Sequence, residues 1–185
     1  MRLIAVWCLF INFAKYCGLG ISRSITHFPA PTVMTEEGSS ISFKFPKEER
    51  LRHRSLVDGI FHKGKSFFEF PFRVFWRVMS REDLEKNFSR EVPQGIGRVQ
   101  LLVTVPKKKR RKAVDRVKMR RRIREAYRLN KHMLLEAVDS RPDISTLSVA
   151  IIYSYDKNLE YKIVEEKVKV LMEKVIRKID PPSQN

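Results

Sequence analysis

The sequence predicts a small α/β sandwich, in which helices pack on a small mixed sheet. Three runs rich in aromatic and branched residues have the composition of strands. Two long segments repeat apolar residues at helical spacing. Apolar residues make up 43% of the 185 residues, which is enough to form one packed domain. We predict the order α-β-β-β-α-β-α, with residue ranges assigned to three of the four strands.

The first helix is predicted between Ser55, whose hydroxyl can cap it, and His62. Gly64 follows as a stop signal. The apolar residues expected to face the core are Leu51, Leu56 and Ile60, and the arginines left in water are Arg50, Arg52 and Arg54.

The predicted strands are Phe72–Met79, Arg98–Val105 and Leu147–Tyr155. Pro71 stands at the start of the first strand, where a missing N–H does least harm. The third run is almost continuously apolar, as expected for a buried central strand. The intervening segment Ser80–Gly97 is charged and ends in Pro and Gly, so we predict a loop.

The segment Lys107–Lys131 lies between the last two strands and concentrates the charge. It holds 14 Lys or Arg residues against Asp115 and Glu125, so it carries +12 of the formal +17. At about 100° per residue, the segment and its continuation form one helix with two different sides. The packing side comprises Met119, Ile123, Ala126, Tyr127, Asn130, Met133, Leu134 and Ala137, and the charged side comprises Arg120, Arg121, Arg124, Arg128 and Lys131.

A second amphipathic helix is predicted near the end of the chain, and Pro181 and Pro182 should stop it. Its apolar positions are Tyr161, Val164, Val168, Leu171, Val175 and Ile179.

Residues 1–44 form a predicted extension, residues 45–180 the domain and residues 181–185 a tail. The start resembles a signal peptide, but Lys15 interrupts the apolar run, which is too short to span a bilayer. We expect translation to begin at Met34; a cleaved signal peptide is the alternative. Both cysteines, Cys8 and Cys17, lie in this extension, which fits a reducing compartment and a cytoplasmic protein.

The domain shows no pattern of catalytic residues. There is no nucleophile with its base, no carboxylate pair and no phosphate-binding glycine loop, and Gly95–Gly97 is predicted to be a turn. The histidines lack metal-ligand spacing. We therefore expect no catalytic residue, no metal ligand and no small-molecule ligand in this chain.

A polyanion is the expected partner, and RNA is favoured. Guanidinium groups on successive helical turns can grip phosphates through two donors each, and counterion release supplies affinity. The candidate RNA-binding residues are Lys108, Lys109, Arg110, Lys112, Arg116, Lys118, Arg120, Arg121, Arg124 and Arg128. The alternatives are a non-enzymatic basic RNA-binding protein such as a ribosomal protein, a DNA-binding helix and a membrane-surface helix. Pro106 and a strand precede the basic helix, which disfavours the DNA-binding motif, and we expect no stable membrane association.

Alternation places Phe75 between Arg73 and Arg77 on one face of its strand, with Phe72, Val74 and Trp76 on the other. Phe75 can therefore be a base-stacking residue on a basic face or a core residue.

The run KAVDRVKMRRRIREAYR, Lys112 to Arg128, resembles the signature of the bacterial ribonuclease P protein component. That signature has Ala-Val, then Arg-Asn-Arg, Lys-Arg, and Arg-Glu with an aromatic residue. The stretches FPKEERL and IFHKGKS, followed by a strand, resemble the family's first helix and strand. The resemblance covers about Phe45 to Ile179.

The resemblance implies a subunit of an endoribonuclease that removes 5′ leaders from precursor tRNA, with the chemistry and Mg²⁺ held mainly by a catalytic RNA. It also implies a left-handed β-α-β crossover, against the usual right-handed rule. The basic helix would bind the catalytic RNA, and Val117 replaces the motif's Asn. A cleft between the first helix and the sheet would hold the leader. Its residues are Phe61, Phe75, Val57, which stands in place of a usual Phe, and Arg73 on the same basic face.

Overall fold

The structure, a computed structural model, describes residues 43–88 and 91–179, which form five helices and four strands. They are α1 Arg54–Lys63, β1 Lys65–Glu69, β2 Phe72–Met79, α2 Arg81–Asn87, β3 Val99–Thr104, α3 Ala113–Asn130, α4 His132–Asp139, β4 Thr146–Tyr153 and α5 Tyr161–Ile179. The predicted mixed α/β fold class is confirmed. The predictions about Met34, the extension up to residue 42, the proline stop and the tail lie outside the described residues, and the domain bounds stay a prediction.

The sheet has the strand order β1-β2-β4-β3. Strand β2 pairs antiparallel with both β1 and β4, whereas β3 and β4 are parallel. The prediction of a buried central strand is confirmed for β4, in which every residue except the half-buried Ile152 is buried. Because β3 and β4 are parallel neighbours, α3 and α4 form the crossover between them. The left-handed sense of this crossover stays a prediction.

The larger core lies between one face of the sheet and helices α3, α4 and α5. Phe72, Val74 and Trp76 of β2 point into it, as their alternation predicts. The predicted apolar residues of α5 are buried except Tyr161, which is half-buried. Full burial of each large apolar side chain stabilises the fold by about 1.5–3 kcal/mol, so this core anchors α3 firmly on its apolar side.

The opposite face of the sheet is only partly covered. Helix α1 packs there through Leu56 and Ile60, and Leu51 joins them, as predicted. Helix α1 ends at Gly64, whose backbone is extended, and the position requires glycine because a Cβ would overlap the Ile60 carbonyl oxygen. The covered cluster ends at the half-buried Phe75, so part of this face remains open beside α1.

Two local predictions are wrong. Ser55 does not cap α1, because the helix already begins at Arg54 and its N-cap residue is His53. The predicted loop Ser80–Gly97 contains helix α2. Ser80 caps this helix by accepting a hydrogen bond from the Asp83 backbone N–H at 3.2 Å.

The single basic helix predicted through Ala137 is also wrong, since two helices, α3 and α4, meet at Lys131. Lys131 does not lie on the charged side. Its ammonium is buried, donating to Glu49 Oε1 at 2.5 Å and to the Lys44 carbonyl oxygen at 2.6 Å. The segment around Glu49 runs along β3, where the Leu101 N–H donates to the Glu49 carbonyl oxygen at 2.8 Å. The ion pair therefore fastens the segment that covers this sheet edge to the end of α3.

Candidate RNA-binding surface

Helix α3 packs against the core through one side and exposes cationic side chains on the other. Met119, Ile123, Ala126 and Tyr127 are buried as predicted. Among the candidate RNA-binding residues, the exposed ones are Lys108, Lys109, Lys112, Lys118, Arg121 and Arg124, and the half-buried ones are Arg110, Arg116, Arg120 and Arg128. The basic side is thus a surface of the folded domain.

Four arginines repeat at every fourth position along α3: Arg116, Arg120, Arg124 and Arg128. Like charges at this spacing destabilise a helix by about 0.2–0.5 kcal/mol per pair. The pKa of Arg124 is lowered, first by partial burial and then by the charges of Arg120 and Arg50. The repulsion among these arginines indicates a positive electrostatic potential on this side of α3, which a bound polyanion would reduce.

Some of these cations are already used within the protein. Arg128 forms two hydrogen bonds with the Glu125 carboxylate, at 2.6 and 2.9 Å, and donates to the Phe43 carbonyl oxygen at 2.7 Å. This hydrogen bonding lowers the pKa of Glu125. Arg116 donates to the carbonyl oxygens of Arg110 and Arg111, at 2.9 and 2.6 Å. Arg116 and Arg128 therefore have structural roles, and the surface with the fewest internal partners centres on Arg120, Arg121 and Arg124.

The four predicted leader-binding residues come together on the open face of the sheet. The rings of Phe61 in α1 and Phe75 in β2 meet edge to face, with centroids 5.1 Å apart. The Arg73 guanidinium carbon lies 5.3 Å from the Phe75 ring centroid. Val57 packs half-buried at the base of the same cluster. We call this group the cleft.

Phe68 adjoins the cleft, although it is not among the site residues predicted from the sequence. It is 62% exposed and is the direct cross-strand partner of Arg73, so both side chains share one face. Alternation along KSFFE puts Ser66 and Phe68 on one face of the strand, but only the register with β2 shows that this is the face of Arg73. The sequence-based prediction gave β1 no residue range, so Phe68 was missed.

Arg50 is a second residue missing from the predicted site. It forms a bridge with Leu101 beside β3, and its charge contributes to lowering the pKa of Arg124. Arg50 and the exposed Arg52 lie in the segment that leads into α1, the helix that carries Phe61 of the cleft. Arg50 therefore adds positive charge beside Arg124.

Residues 43–88 and 91–179 contain no group of three or more His, Cys, Asp or Glu residues that is placed to hold a metal ion. No helix in this part of the chain is long and apolar enough to cross a membrane.

A model of the family described as Ribonuclease P matches residues 45–175. The chain belongs to the ribonuclease P protein family. The ribonuclease P protein component of Porphyromonas gingivalis is 32% identical over 127 residues, which cover 69% of this chain and 82% of that protein. The component of Dictyoglomus turgidum is 32% identical over 130 residues, covering 70% and 91%. The solved ribonuclease P protein of Thermotoga maritima is 25% identical, covers 68% of this chain and 96% of that chain, and has a TM-score of 0.47.

This ribonuclease P protein is therefore a subunit of an RNA-processing endoribonuclease, and its partner is the ribonuclease P RNA. The match confirms the predicted family and does not favour the alternative of a ribosomal protein. The roles of the individual residues stay predictions.

Proposed function

We propose that α3 binds the catalytic RNA of ribonuclease P and that the cleft holds the single-stranded 5′ leader of precursor tRNA. The observation that carries this proposal is the pairing of two different surfaces. One is a rigid helix with poorly compensated arginines, and the other is a partly exposed aromatic pair with Arg73 beside it. The complex would remove the leader and release tRNA with a mature 5′ end.

The surface on α3 suits folded RNA because its cations project from a helix whose other side is fixed in the core. Arginines four residues apart lie about 6 Å apart along the helix axis, a spacing that lets neighbouring arginines contact a phosphate backbone. Val117 stands where the family motif has Asn and cannot make its polar contacts. Arg121 and Arg124 flank this side and supply the phosphate contacts in our proposal.

The cleft suits an unpaired strand because aromatic rings stack on bases of any sequence. Phe61 is 39% exposed and Phe75 is half-buried, so a base can reach the pair without unfolding the cluster beneath it. Arg73 is exposed and can contact the adjoining phosphate. Val57, which stands in place of the usual Phe, has no ring on which a base could stack. Phe68 provides an exposed ring nearby.

The chemical step belongs, in this proposal, to the RNA. The exposed side chains of α3 and the cleft are cations and hydrocarbons except Glu125, whose carboxylate accepts hydrogen bonds from Arg128, so we place Mg²⁺ mainly on RNA phosphates. The protein would screen repulsion between RNA strands and raise the affinity for substrate and Mg²⁺. We place this complex in the cytoplasm, with no catalytic residue and no small-molecule ligand in the chain.

Reconstitution tests the proposal directly. Purified protein added to the cognate catalytic RNA at low Mg²⁺ should restore cleavage at the 5′ end of tRNA, because the added cations replace part of the counterion requirement. Cleavage products are resolved on a sequencing gel. Protein that leaves cleavage unchanged at every Mg²⁺ concentration would refute the proposed role.

The Phe75→Ala variant should weaken binding of precursor tRNA by about 1–3 kcal/mol, the cost of losing one stacked base. The affinity for mature tRNA, which has no leader, should not change. Both affinities are measured with the reconstituted holoenzyme by filter binding.

Phe75→Leu is the companion variant, since it keeps an apolar side chain against the cluster and removes the ring. It should lose leader affinity while keeping the free energy of unfolding. Phe70→Ala is the control, because Phe70 is 51% exposed but contacts Tyr155 instead of the cleft. Equal losses for precursor and mature tRNA would count against stacking in the cleft.

A further inference from the structure

A second cationic surface lies at the edge of the sheet formed by β1. Ten described residues line a cavity of about 430 Å³ there, between the end of α1, the end of α5 and the turn before β4. Five of them are cations and one is an acid: Lys63, Lys65, Arg77, Arg141 and Lys178 against Asp143. The charge excess is therefore not confined to α3.

A neighbouring cavity of about 410 Å³ extends the same surface along β1. It is lined by Phe67, Phe68, Lys174, Arg177 and Lys178, so Lys178 is shared between the two cavities. Lys174 is paired with Glu69 and adds little net charge. We use the name β1-edge surface for Lys63, Lys65, Arg77, Arg177 and Lys178.

Aromatic rings support two of these cations. The Lys65 ammonium lies 5.4 Å from the Trp76 ring centroid, and the Lys178 ammonium lies 5.5 Å from that of Phe67. Such contacts hold long side chains in place and leave the ammonium groups free to donate to an anion. Nη1 of Arg77 is buried against Gly59 of α1 and has no hydrogen-bond partner among the described residues, so Arg77 adds positive charge beneath this surface without presenting that nitrogen to an anion.

The β1-edge surface begins where the cleft ends. On β2, Phe75 and Arg77 point to the same side of the sheet. Lys65 pairs with Trp76, so its side chain lies on the opposite face of the sheet from Phe75, and a strand leaving the cleft reaches it by passing round the edge strand β1. Phe61 lies two residues before Lys63 at the end of α1. Phe68, which shares the face of Arg73 beside the cleft, also lines the cavity that contains Lys178, so the two surfaces meet at β1.

The strand order defines the direction in which the leader would cross the sheet. Helix α3 packs near β3, at one edge of the sheet, the cleft lies on β2, and β1 forms the other edge. If the catalytic RNA docks on α3, the leader nucleotides nearest the cleavage site enter the cleft from that side. The nucleotides further upstream then leave it across β1.

We infer that the β1-edge surface binds the phosphate backbone of the upstream part of the leader, beyond the nucleotides in the cleft. This inference rests on the proposed leader-binding function and extends it. The affinity for precursor tRNA should therefore rise in two stages as the leader is lengthened. The first rise comes from nucleotides that reach the cleft, and the second from nucleotides that reach Lys65 and Lys178.

The test uses the reconstituted holoenzyme with precursor tRNAs whose leaders span roughly 4 to 16 nucleotides, the range of single-strand binding sites. The variant K65Q/K178Q keeps the aliphatic stems on their rings and removes two charges. For long leaders it should lower the slope of log affinity against log salt concentration by up to about 1.4, or about 0.7 per phosphate contact. For the shortest leader and for mature tRNA, affinity and slope should stay at wild-type values.

The matched control K86Q/K169Q also removes two exposed lysines, each paired with a Glu one turn away in its own helix. It should bind all substrates like the wild type. Equal losses at every leader length, equal losses in the control, or no loss with long leaders would overturn the inference. Wild-type holoenzyme that gains nothing from a leader of any length would instead refute the proposed function of the cleft.

Discussion

Replacing Arg120, Arg121 and Arg124 with alanine will weaken binding of the ribonuclease P RNA on the order of 100-fold at about 0.15 M salt. Each phosphate contact adds about 0.7–0.9 to the slope of log affinity against log salt concentration, so three lost contacts lower the slope by about 2–2.7. Titrations at several salt concentrations measure both quantities. These three residues suit the test because no described hydrogen bond or ion pair commits their guanidinium groups to another part of the chain.

The same variant should fold at least as stably as the wild type. It removes like-charged neighbours along α3 and substitutes the best helix former, so the free energy of unfolding should rise by up to about 1 kcal/mol. Urea unfolding followed by circular dichroism measures this change. Lower affinity with undiminished stability separates a binding surface from a structural one.

A matched control removes three exposed cations elsewhere, namely Arg81, Lys86 and Lys169. Each is paired with a Glu four residues away in its helix. Their replacement by alanine changes the net charge equally but leaves α3 intact. If this control flattened the salt dependence as much as the α3 variant does, the effect would be one of total charge, and the assignment of the surface to α3 would be wrong.

The buried strands and the long helices were predictable because their buried residues recur at a regular spacing along the sequence. Phe72, Val74 and Trp76 alternate into one core, and Val164, Val168 and Leu171 recur at helical spacing. Helix α2 has only one buried residue, Leu84, so no period reveals it, although Ser80 and Asp83 form a recognisable cap. Strand β1 has no fully buried residue and carries no alternation strong enough to assign it.

The candidate site was predictable only in part. The charged side of α3 follows from local periodicity, since it depends on residues within a few turns of one another. The contact between Phe61 and Phe75 was expected only through the family resemblance, because no local pattern brings α1 onto β2. The burial of Lys131 depends on Glu49, which lies 82 positions away in the chain. Local periodicity therefore placed Lys131 on the wrong side.

The second large effect concerns this ion pair. We expect Lys131→Met to lower the free energy of unfolding by about 3–5 kcal/mol, because it leaves the Glu49 carboxylate buried without its partner. The side chains of Lys131 and Glu49 are only 6% and 13% exposed, so water cannot replace the lost ammonium. Oε2 of Glu49 has no hydrogen-bond partner among the described residues, which adds to the cost. Thermal and urea unfolding of the purified variant measure the change.

The double variant Glu49→Gln with Lys131→Met decides whether the unpaired charge is the cause. It removes the buried carboxylate together with the ammonium, so it should recover most of the stability that Lys131→Met loses. Breaking the exposed pair of Lys169 and Glu165 by Lys169→Met should change stability by less than about 1 kcal/mol. If Lys131→Met proved equally mild, Lys131 would not fasten the segment over β3, and the link between that segment and the end of α3 would have to come from other contacts, such as the hydrogen bond from Arg128 to the Phe43 carbonyl oxygen.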